Sequence, residues 1–464
     1  MNSRIASVVL VLASLVLPGR VSAGDVLLPR VEVEEDVYAY ESADNGAGPM
    51  WCSGSTCLVR LKDRVFATGL ETIKDAKPLN NCRWLLFERA ATGWARIGVD
   101  ESHRTREPSP LACFDDGRFF LSANPTLAPL DAYNGPARPE ILEYSARDAS
   151  TERKTIKPDW VGSSRFTEHS YRSFAADRKR HELFLLQNVG DDYAAWVLLG
   201  SDGVTRAAGR LNWPWGADYA KPELIRVCYP NVALANHAVY ACGVSDIVEP
   251  NPEWRAFKKQ LTGREWDYDF RRLFYIWTPD ITAHPLTNWL EIASREKTCG
   301  WVSPGDLWLA PDGTVHLVWT ERAIDERLRA KFFPNARQRH ELNYAMVRQG
   351  QVVYRRTLLS AEEGQANEIP GLARFQPAPN GRLCVFYYVS GTTAAGKPLS
   401  ENRLLELKRD GSDGPSAVVP LSHPLNSFFT ATPRAGSAPS STLDLLGVRV
   451  DGRLKVSYAR VRVY

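Results

Sequence analysis

The segment Leu307-Trp-Leu-Ala-Pro-Asp-Gly-Thr-Val-His-Leu-Val-Trp319 decides the fold. Two apolar runs flank an Asp-Gly turn, which is among the strongest short-range signals for a β-hairpin. The pattern recurs at residues 111–121, around Asp-Asp-Gly, and at residues 375–387, around Asn-Gly. Copies of one hairpin along a single chain indicate a fold built by repeating one β-sheet unit.

Each repeat has room for about four strands, the content of one blade of a β-propeller. Repeats of this kind cover residues 37–99, 107–157, 168–213, 224–292, 300–359 and 373–421, and residues 427–464 have room for three more strands. An open edge strand invites aggregation, so we expect residues 25–33 to supply the missing fourth strand. The sequence therefore predicts an all-β, seven-bladed propeller of four-stranded antiparallel blades, closed by an N-terminal strand. Six and eight blades are the alternatives.

Two segments interrupt the strand pattern and predict short helical insertions in blades 4 and 5. Asn251 suits the N-cap of the first, Pro252 its first turn and Gly263 the position after its end. The second covers residues 323–332 and is stopped by Pro334. Both follow the second strand of their blade, so both are expected to emerge on the same face of the disc.

The first 23 residues have the pattern of a secretory signal peptide. Arg4 gives the positive start, residues 5–17 the apolar run, and Val21-Ser22-Ala23 the small-residue cleavage site. The run is too short to span a bilayer. We expect residues 24–464 to form a single propeller domain, secreted or periplasmic, without a membrane span and monomeric. A retained N-terminal anchor is the alternative.

The eight cysteines predict disulfides in a secreted chain. Cys52 and Cys57 are spaced to close a small loop, and Cys228 and Cys242 lie on the two arms of one predicted hairpin. No Cys or His cluster has zinc-site spacing, and neither a metal site nor a cofactor is predicted. The net charge of only +3, with no basic stripe, argues against nucleic acid as a partner.

Strand geometry predicts which residues surround one mouth of the central channel. In a propeller the innermost strand of each blade starts at one face and the second strand returns to it. Residues just before the first strand and just after the second therefore meet at the same mouth. These are Arg106, Glu107, Asn124, Glu168, His169, Tyr171, Gln187, Asn188, Arg226, Tyr229, Ser245, Asp246, Trp301, Thr320, Glu321, Arg322 and Arg374.

In this arrangement the chain resembles the sialidase-like, BNR-type propellers, a superfamily of secreted carbohydrate-active proteins, although their Ser-x-Asp-x-Gly-x-Thr-Trp box is not intact. It is more similar to the propeller polysaccharide lyases, such as ulvan lyases. Glu168-His169 and Tyr229-Pro230 match two elements of the lyase pattern. Gln187-Asn188 replaces its second His, and Gly243 or Ser245 lies where its Arg is expected.

The resemblance implies β-elimination in a uronate-containing, anionic polysaccharide or oligosaccharide. His169, Tyr229 and Asn188 are the predicted catalytic residues, with His and Tyr for proton transfer and Asn for carboxylate neutralisation. A basic Tyr229 needs positive charge nearby, and Arg226 is the candidate source. The predicted substrate-binding residues are Arg226, Arg172, Tyr171, Glu321, Arg322 and Trp215. A sialidase-like glycoside hydrolase and a non-catalytic carbohydrate- or protein-binding propeller are the alternatives, because fold alone does not choose among them.

Overall fold

A computed structural model describes residues 26–365, 368–452 and 454–464. The predicted signal peptide lies outside the described residues. Seven four-stranded antiparallel sheets, here called blades 1 to 7, follow one another along the chain. The seven-bladed propeller predicted from the hairpin repeats is thereby confirmed.

From the innermost strand outward, the first four blades consist of the following strands: blade 1, Leu58–Leu61, Arg64–Thr72, Cys82–Ala90 and Gly93–Val99; blade 2, Leu111–Cys113, Arg118–Ala123, Glu140–Ser145 and Lys154–Ile156; blade 3, Ser173–Asp177, Glu182–Val189, Tyr193–Leu199 and Thr205–Asn212; blade 4, Val227–Ala235, Ala238–Ser245, Arg272–Thr278 and Leu290–Ser294. Blades 5 and 6 consist of Trp301–Leu309, Val315–Arg322, Arg339–Arg348 and Gln351–Glu362, and of Glu368–Pro377, Leu383–Thr392, Pro398–Leu407 and Asp413–Val419.

Blade 7 joins the two ends of the described chain. Its inner strands are Leu425–Thr430, Thr442–Arg449 and Lys455–Arg462, and its outermost strand is Arg30–Ala39. Arg30 lies opposite Arg462 and Ala39 opposite Lys455. Closure by an N-terminal strand is therefore confirmed. The strand lies later in the chain than residues 25–33, and blade 1 accordingly begins at Leu58 rather than near residue 37.

Apolar side chains packed between neighbouring blades hold the ring together. Phe66 of blade 1 stacks on Phe119 of blade 2, with ring centroids 4.2 Å apart. Phe386 of blade 6 meets Phe428 of blade 7 edge to face at 4.8 Å. All four side chains are buried, and complete burial of one such ring contributes about 1.5–3 kcal/mol.

The centre of the ring is filled by residues 52–56, here called the channel segment. Ser53 accepts a hydrogen bond at its carbonyl O from Arg374 at 2.6 Å, and Gly54 accepts one from Arg434 at 3.0 Å. The Ser55 hydroxyl accepts from the backbone N–H of Phe174 at 3.1 Å. These donors belong to blades 6, 7 and 3, so the segment links the inner walls of blades on different sides of the ring.

Both helical insertions are present, and they pack on one another. The first helix is Pro252–Thr262; the Asn251 side chain accepts hydrogen bonds from two backbone N–H groups of its first turn, and Gly263 ends it with φ of 70°. The second is Glu326–Phe332, capped by Asp325, so it starts three residues later than predicted. Two single-turn 3-10 helices, Glu296–Thr298 and Pro433–Ala435, complete the helical elements of the described chain.

Aromatic rings and one buried cation join the two insertions. Trp254 of the first helix meets Phe333, which follows the second, at a centroid distance of 5.5 Å. The buried Lys258 ammonium lies 2.7 Å from Glu249 and 3.6 Å from Asp325, the cap of the second helix. The expectation that both insertions emerge on one face is met. In the described part of the chain, no helix is long and apolar enough to cross a membrane.

The eight cysteines, all of them within the described residues, are buried free thiols. The predicted Cys228–Cys242 bridge is therefore absent, and the hairpin register explains why. Cys228 lies opposite Val244 and Cys242 opposite Asn231, with a bulge between them. Because the two residues are not opposite one another, the hairpin does not align their side chains for a bridge. Cys52 and Cys57 are likewise unbridged.

Candidate functional site

Two tyrosines from neighbouring blades meet at one mouth of the channel. Tyr171 lies two residues before the start of blade 3, and Tyr229 lies in the bulge of the innermost strand of blade 4. Their rings pack edge to face with centroids 5.2 Å apart. Both backbones have positive φ, 39° at Tyr171 and 50° at Tyr229. Non-glycine residues in this region are strained, and such strain is concentrated at functional sites.

The Glu107 carboxylate holds the strained turn at Tyr171. It accepts hydrogen bonds from the backbone N–H groups of Ser170 at 2.9 Å and Tyr171 at 3.2 Å, and also from the Ser170 hydroxyl. Glu107 is fully buried, so these bonds are protected from water. The carboxylate thereby satisfies two backbone donors that would otherwise be buried without partners.

His169 lies beside this turn and contacts the Arg106 guanidinium. Nη1 of Arg106 is within hydrogen-bond distance of Nδ1 and 3.1 Å from Nε2 of the imidazole. Burial, and then the positive charges of Arg106 and Arg226, lower the pKa of His169 to about 3. Because arginine only donates, one of these two ring nitrogens must be unprotonated to accept the bond. His169 is thus a neutral imidazole at pH 7, with 37% of its side chain exposed at the mouth.

Trp51, which precedes the channel segment, packs against the same group. Its ring centroid is 6.2 Å from that of Tyr171 and 5.8 Å from that of Tyr229. The Arg106 guanidinium lies 5.5 Å from the Trp51 ring centroid and donates to the Asn45 carbonyl O at 3.0 Å and 2.9 Å. His169, Tyr171, Tyr229, Arg106 and Trp51 therefore form one continuous group of side chains, here called the mouth cluster.

Arg226 does not activate Tyr229 as the sequence led us to expect. Its guanidinium lies 5.5 Å from the Tyr171 ring centroid and pairs with the buried Asp246 at 2.7 Å. Burial, and then the acidic groups of Cys228 and Asp246, raise the pKa of Tyr229 far above its ordinary value. Tyr229 is consequently a protonated phenol at neutral pH and is suited to donate a proton rather than to accept one.

The hydroxyls of both tyrosines are available to a ligand. Neither phenol makes a hydrogen bond to any other described residue. Asn188 is linked to the turn that precedes Tyr171, because its backbone N–H donates to the Ser170 carbonyl O at 2.9 Å. Its side-chain amide is buried, and neither the O nor the N has a partner within the described residues. A buried amide with both ends unpaired costs free energy.

Arg172 is placed away from the mouth. It is fully buried and donates from Nη2 to the Pro108 carbonyl O at 2.7 Å, while its own carbonyl O accepts from Ser55 of the channel segment at 3.2 Å. This burial contradicts the prediction that Arg172 contacts a substrate. The structure instead places it in the links between blade 3 and the centre of the ring.

The remaining predicted substrate-binding residues lie outside the mouth cluster. Glu321 is buried and pairs with Arg295, so it supports its blade rather than facing solvent. Arg322 lines a separate cleft in blade 5. Trp215 is 59% exposed and lies opposite Leu224 in a short ribbon between blades 3 and 4. No group of three or more metal-ligating side chains occurs in the residues that the structure describes.

Neither a protein-family model nor a curated protein sequence matches this chain. Solved structures do match. One is a polysaccharide lyase of family PL25, an ulvan lyase, with 8% identity, coverage of 92% of this chain and 94% of that chain, and a TM-score of 0.51. Another is a Penicillium chrysogenum α-L-arabinanase complexed with arabinobiose, with 12% identity, coverage of 75% and 91%, and a TM-score of 0.40. At 8% identity, the likeness to the ulvan lyase shows a shared fold.

Proposed function

We propose that this chain is a secreted or periplasmic carbohydrate-directed propeller that cleaves uronate-containing polysaccharide by β-elimination at the mouth cluster. One observation carries the proposal: a neutral, partly exposed His169 lies in one cluster with a cation, Arg106, and with a phenol, Tyr229, that has no hydrogen-bond partner among the described residues. Base, carboxylate partner and acid are the three groups that the reaction requires. The whole-chain similarity in fold to an ulvan lyase supports the same class of substrate.

Each group has a defined part in the proposed reaction. Arg106 pairs with the uronate carboxylate, so its guanidinium is withdrawn from His169 and the imidazole lone pair is free. His169 takes the proton from the carbon next to the carboxylate, and the electron pair left behind is delocalised into that carboxylate. As the bond to the neighbouring glycosidic oxygen breaks, Tyr229 gives its phenolic proton to that oxygen. The products are an unsaturated uronate, a shortened chain and, on the protein, an imidazolium and a phenolate that exchange the proton through solvent.

The arrangement of arginines argues against the sialidase-type hydrolase. That reaction uses an exposed arginine cluster to hold a carboxylate. In this chain the buried Arg374 and Arg434 donate to the carbonyl groups of the channel segment, and Arg434 also pairs with Asp306 at 2.6 Å. The guanidinium of the fully buried Arg172 donates to the Pro108 carbonyl O at 2.7 Å. All three cations are buried, so none of them is exposed to hold a carboxylate.

The test is ultraviolet absorbance of unsaturated uronate during incubation with a panel of uronate polysaccharides. We expect absorbance to grow with the native chain and to fall by about 10²- to 10⁴-fold in His169→Ala and Tyr229→Phe. His284→Ala and Tyr240→Phe are the matched controls, because His284 is exposed and Tyr240 lies near the far turn of its hairpin. Both controls should retain full activity.

The alternatives give different results in the same incubations. New reducing ends without absorbance would identify a hydrolase and contradict the proposed elimination. Retention of polysaccharide without cleavage would identify a non-catalytic binding propeller. Equal activity in native and His169→Ala protein would remove the imidazole from the reaction, and with it the proposed mechanism.

A further inference from the structure

A second cleft lies beside the mouth cluster, on blade 5 and the start of blade 6. Its volume is about 330 Å³, at the lower end of the range for small-molecule sites. It is lined by Trp301, Ser303, Thr320, Glu321, Arg322, His340 and Pro370. None of these residues belongs to the mouth cluster.

Three of the lining residues are direct neighbours across the strands of blade 5. Trp301 lies opposite Arg322, and Arg322 lies opposite His340. Residues paired in this way project from the same face of a sheet, so the three side chains form one row. The Arg322 guanidinium lies 5.9 Å from the Trp301 ring centroid. The row combines a flat apolar ring with a cation, the two groups that recognise an acidic sugar.

Arg322 differs from the other arginines near it by having no counter-ion. Arg295, Arg339 and Arg355 each pair with Glu321 or Glu341. Among the described residues, the Arg322 guanidinium has neither an ion pair nor a hydrogen bond, and its Nε is buried without a partner. Because a partly buried guanidinium gains most from a paired anion, the cleft is chemically incomplete without one.

Within the row of Trp301, Arg322 and His340, the positive charge comes from Arg322, because His340 is neutral. Burial, and then the nearby charge of Arg322, lower the pKa of His340 below its ordinary value. His340 is thus neutral at pH 7, where it offers a hydrogen bond rather than a second cation. The Glu321 carboxylate at the cleft wall is already paired with Arg295 and Arg355 and accepts from the Trp319 indole N–H at 2.6 Å.

Aromatic rings connect the cleft to the mouth cluster. Trp301 packs against Phe270 with centroids 4.6 Å apart, and Phe270 packs against Tyr229 at 6.2 Å. One ring therefore separates Trp301 from the proposed acid. The mouth cluster and the cleft are therefore neighbours, joined through the contacts of the Phe270 ring.

We infer that the cleft is a second saccharide subsite, which binds an anionic sugar unit of the substrate chain through Arg322 and stacks its ring on Trp301. The inference rests on the proposed function, because it assigns this unit to the polysaccharide that the mouth cluster cleaves. The anionic group is a carboxylate or a sulfate, since a guanidinium pairs with either in a bidentate manner.

The test measures binding of uronate-containing tetrasaccharides by isothermal titration calorimetry. Arg322→Gln should weaken binding about tenfold or more, as expected for loss of a hydrogen bond to a charged group, and Trp301→Ala should also weaken it. Trp301→Phe should keep most of the affinity. Arg348→Gln is the matched control, because Arg348 lies at the other end of the same blade and pairs with Asp312. A carboxyl-reduced tetrasaccharide and a sulfated neutral one show which anion is bound.

Kinetics distinguish failure of the subsite from failure of the proposed function. If both hold, Arg322→Gln raises KM and leaves kcat nearly unchanged, because Arg322 does not belong to the mouth cluster that carries the reacting groups. Tetrasaccharide binding that depends on Arg322 in a chain without any turnover would keep the subsite and reject the lyase. Normal turnover together with unchanged KM and affinity in Arg322→Gln would reject the subsite.

Discussion

Replacement of Gly54 by Ala tests whether the channel segment positions the proposed catalytic acid. A Cβ at Gly54 would lie 2.4 Å from the Pro230 carbonyl O and 2.5 Å from that of Tyr229. These distances are roughly 1 Å shorter than a normal contact between nonbonded atoms. Both contacted atoms are backbone and cannot rotate away. The alanine must therefore push the bulge that holds Tyr229 away from the centre of the ring.

The displacement has different consequences for stability and for catalysis. Overpacking a buried position costs about 1–3 kcal/mol, which for a chain of this size lowers the melting midpoint by only a few degrees. A misplacement of about 1 Å at a reacting group lowers turnover by about 10²-fold. We therefore expect Gly54→Ala to fold with a slightly lower melting midpoint and to lose about 10²-fold in the rate of absorbance growth.

Gly48→Ala is the matched control. Gly48 belongs to the same loop, and an added Cβ there would have no atom within 4 Å. Neither glycine has a positive φ, so backbone strain does not distinguish the two variants. Native kcat/KM in a folded Gly54→Ala protein would refute the argument that the channel segment positions Tyr229. An equal loss in Gly48→Ala would refute it as well.

Three further outcomes follow from the fold. Asp246→Asn removes the buried partner of Arg226, leaves the exposed Asp191 as its counter-ion, and should lower the free energy of unfolding in urea by about 1.5–3 kcal/mol. Burial lowers the pKa of His316 to about 4. Between about pH 6.5 and 4, therefore, the imidazole is protonated in the unfolded state but not in the folded state. The free energy of unfolding should accordingly decrease as the pH falls through that range. His316→Phe should flatten this slope in urea titrations at several pH values. Deletion of Arg30–Ala39 exposes the edge of blade 7 and should cause self-association, measured by light scattering.

Exposed positions provide the controls for these variants. Asp202→Asn changes an exposed carboxylate and should leave the free energy of unfolding within about 0.5 kcal/mol of native. His284→Phe changes an exposed imidazole and should keep the native pH slope. An unchanged slope in His316→Phe would show that this group does not drive the acid sensitivity. A deletion variant that stays monomeric would contradict the role assigned to the N-terminal strand.

Local sequence pattern was sufficient for the fold because each hairpin is specified by its own turn. The Asp-Gly turn after Pro311 closes the hairpin of blade 5 as expected. The order of strands within a blade was also sufficient to predict that His169 and Tyr229 lie at the same mouth of the channel. The Cys228–Cys242 pairing failed because the turn lies at Asn236-His237, one residue later than expected, and this register does not place the two cysteines opposite one another.

The parts of the site that sequence reasoning missed depend on contacts between distant segments. Trp51 reaches Tyr171 across more than a hundred residues, and nothing near Trp51 in the sequence indicates that the following five residues fill the channel. The expectation that the Arg226 guanidinium acts on Tyr229 was also wrong. It lies three residues from Tyr229, but Asp246, just after the end of the neighbouring strand, holds it over Tyr171 instead.

Because Arg30–Ala39 pairs with Lys455–Arg462, the first strand to be translated waits for the last before it can pair. At about 5–20 residues per second, the ribosome adds the later strand on the order of 20–90 s after the earlier one. Throughout that interval the first-made strand has no neighbour to bond with, and its exposed amides are open to any other edge. The ring can close only after translation of the last strand, so the nascent chain needs shielding until then.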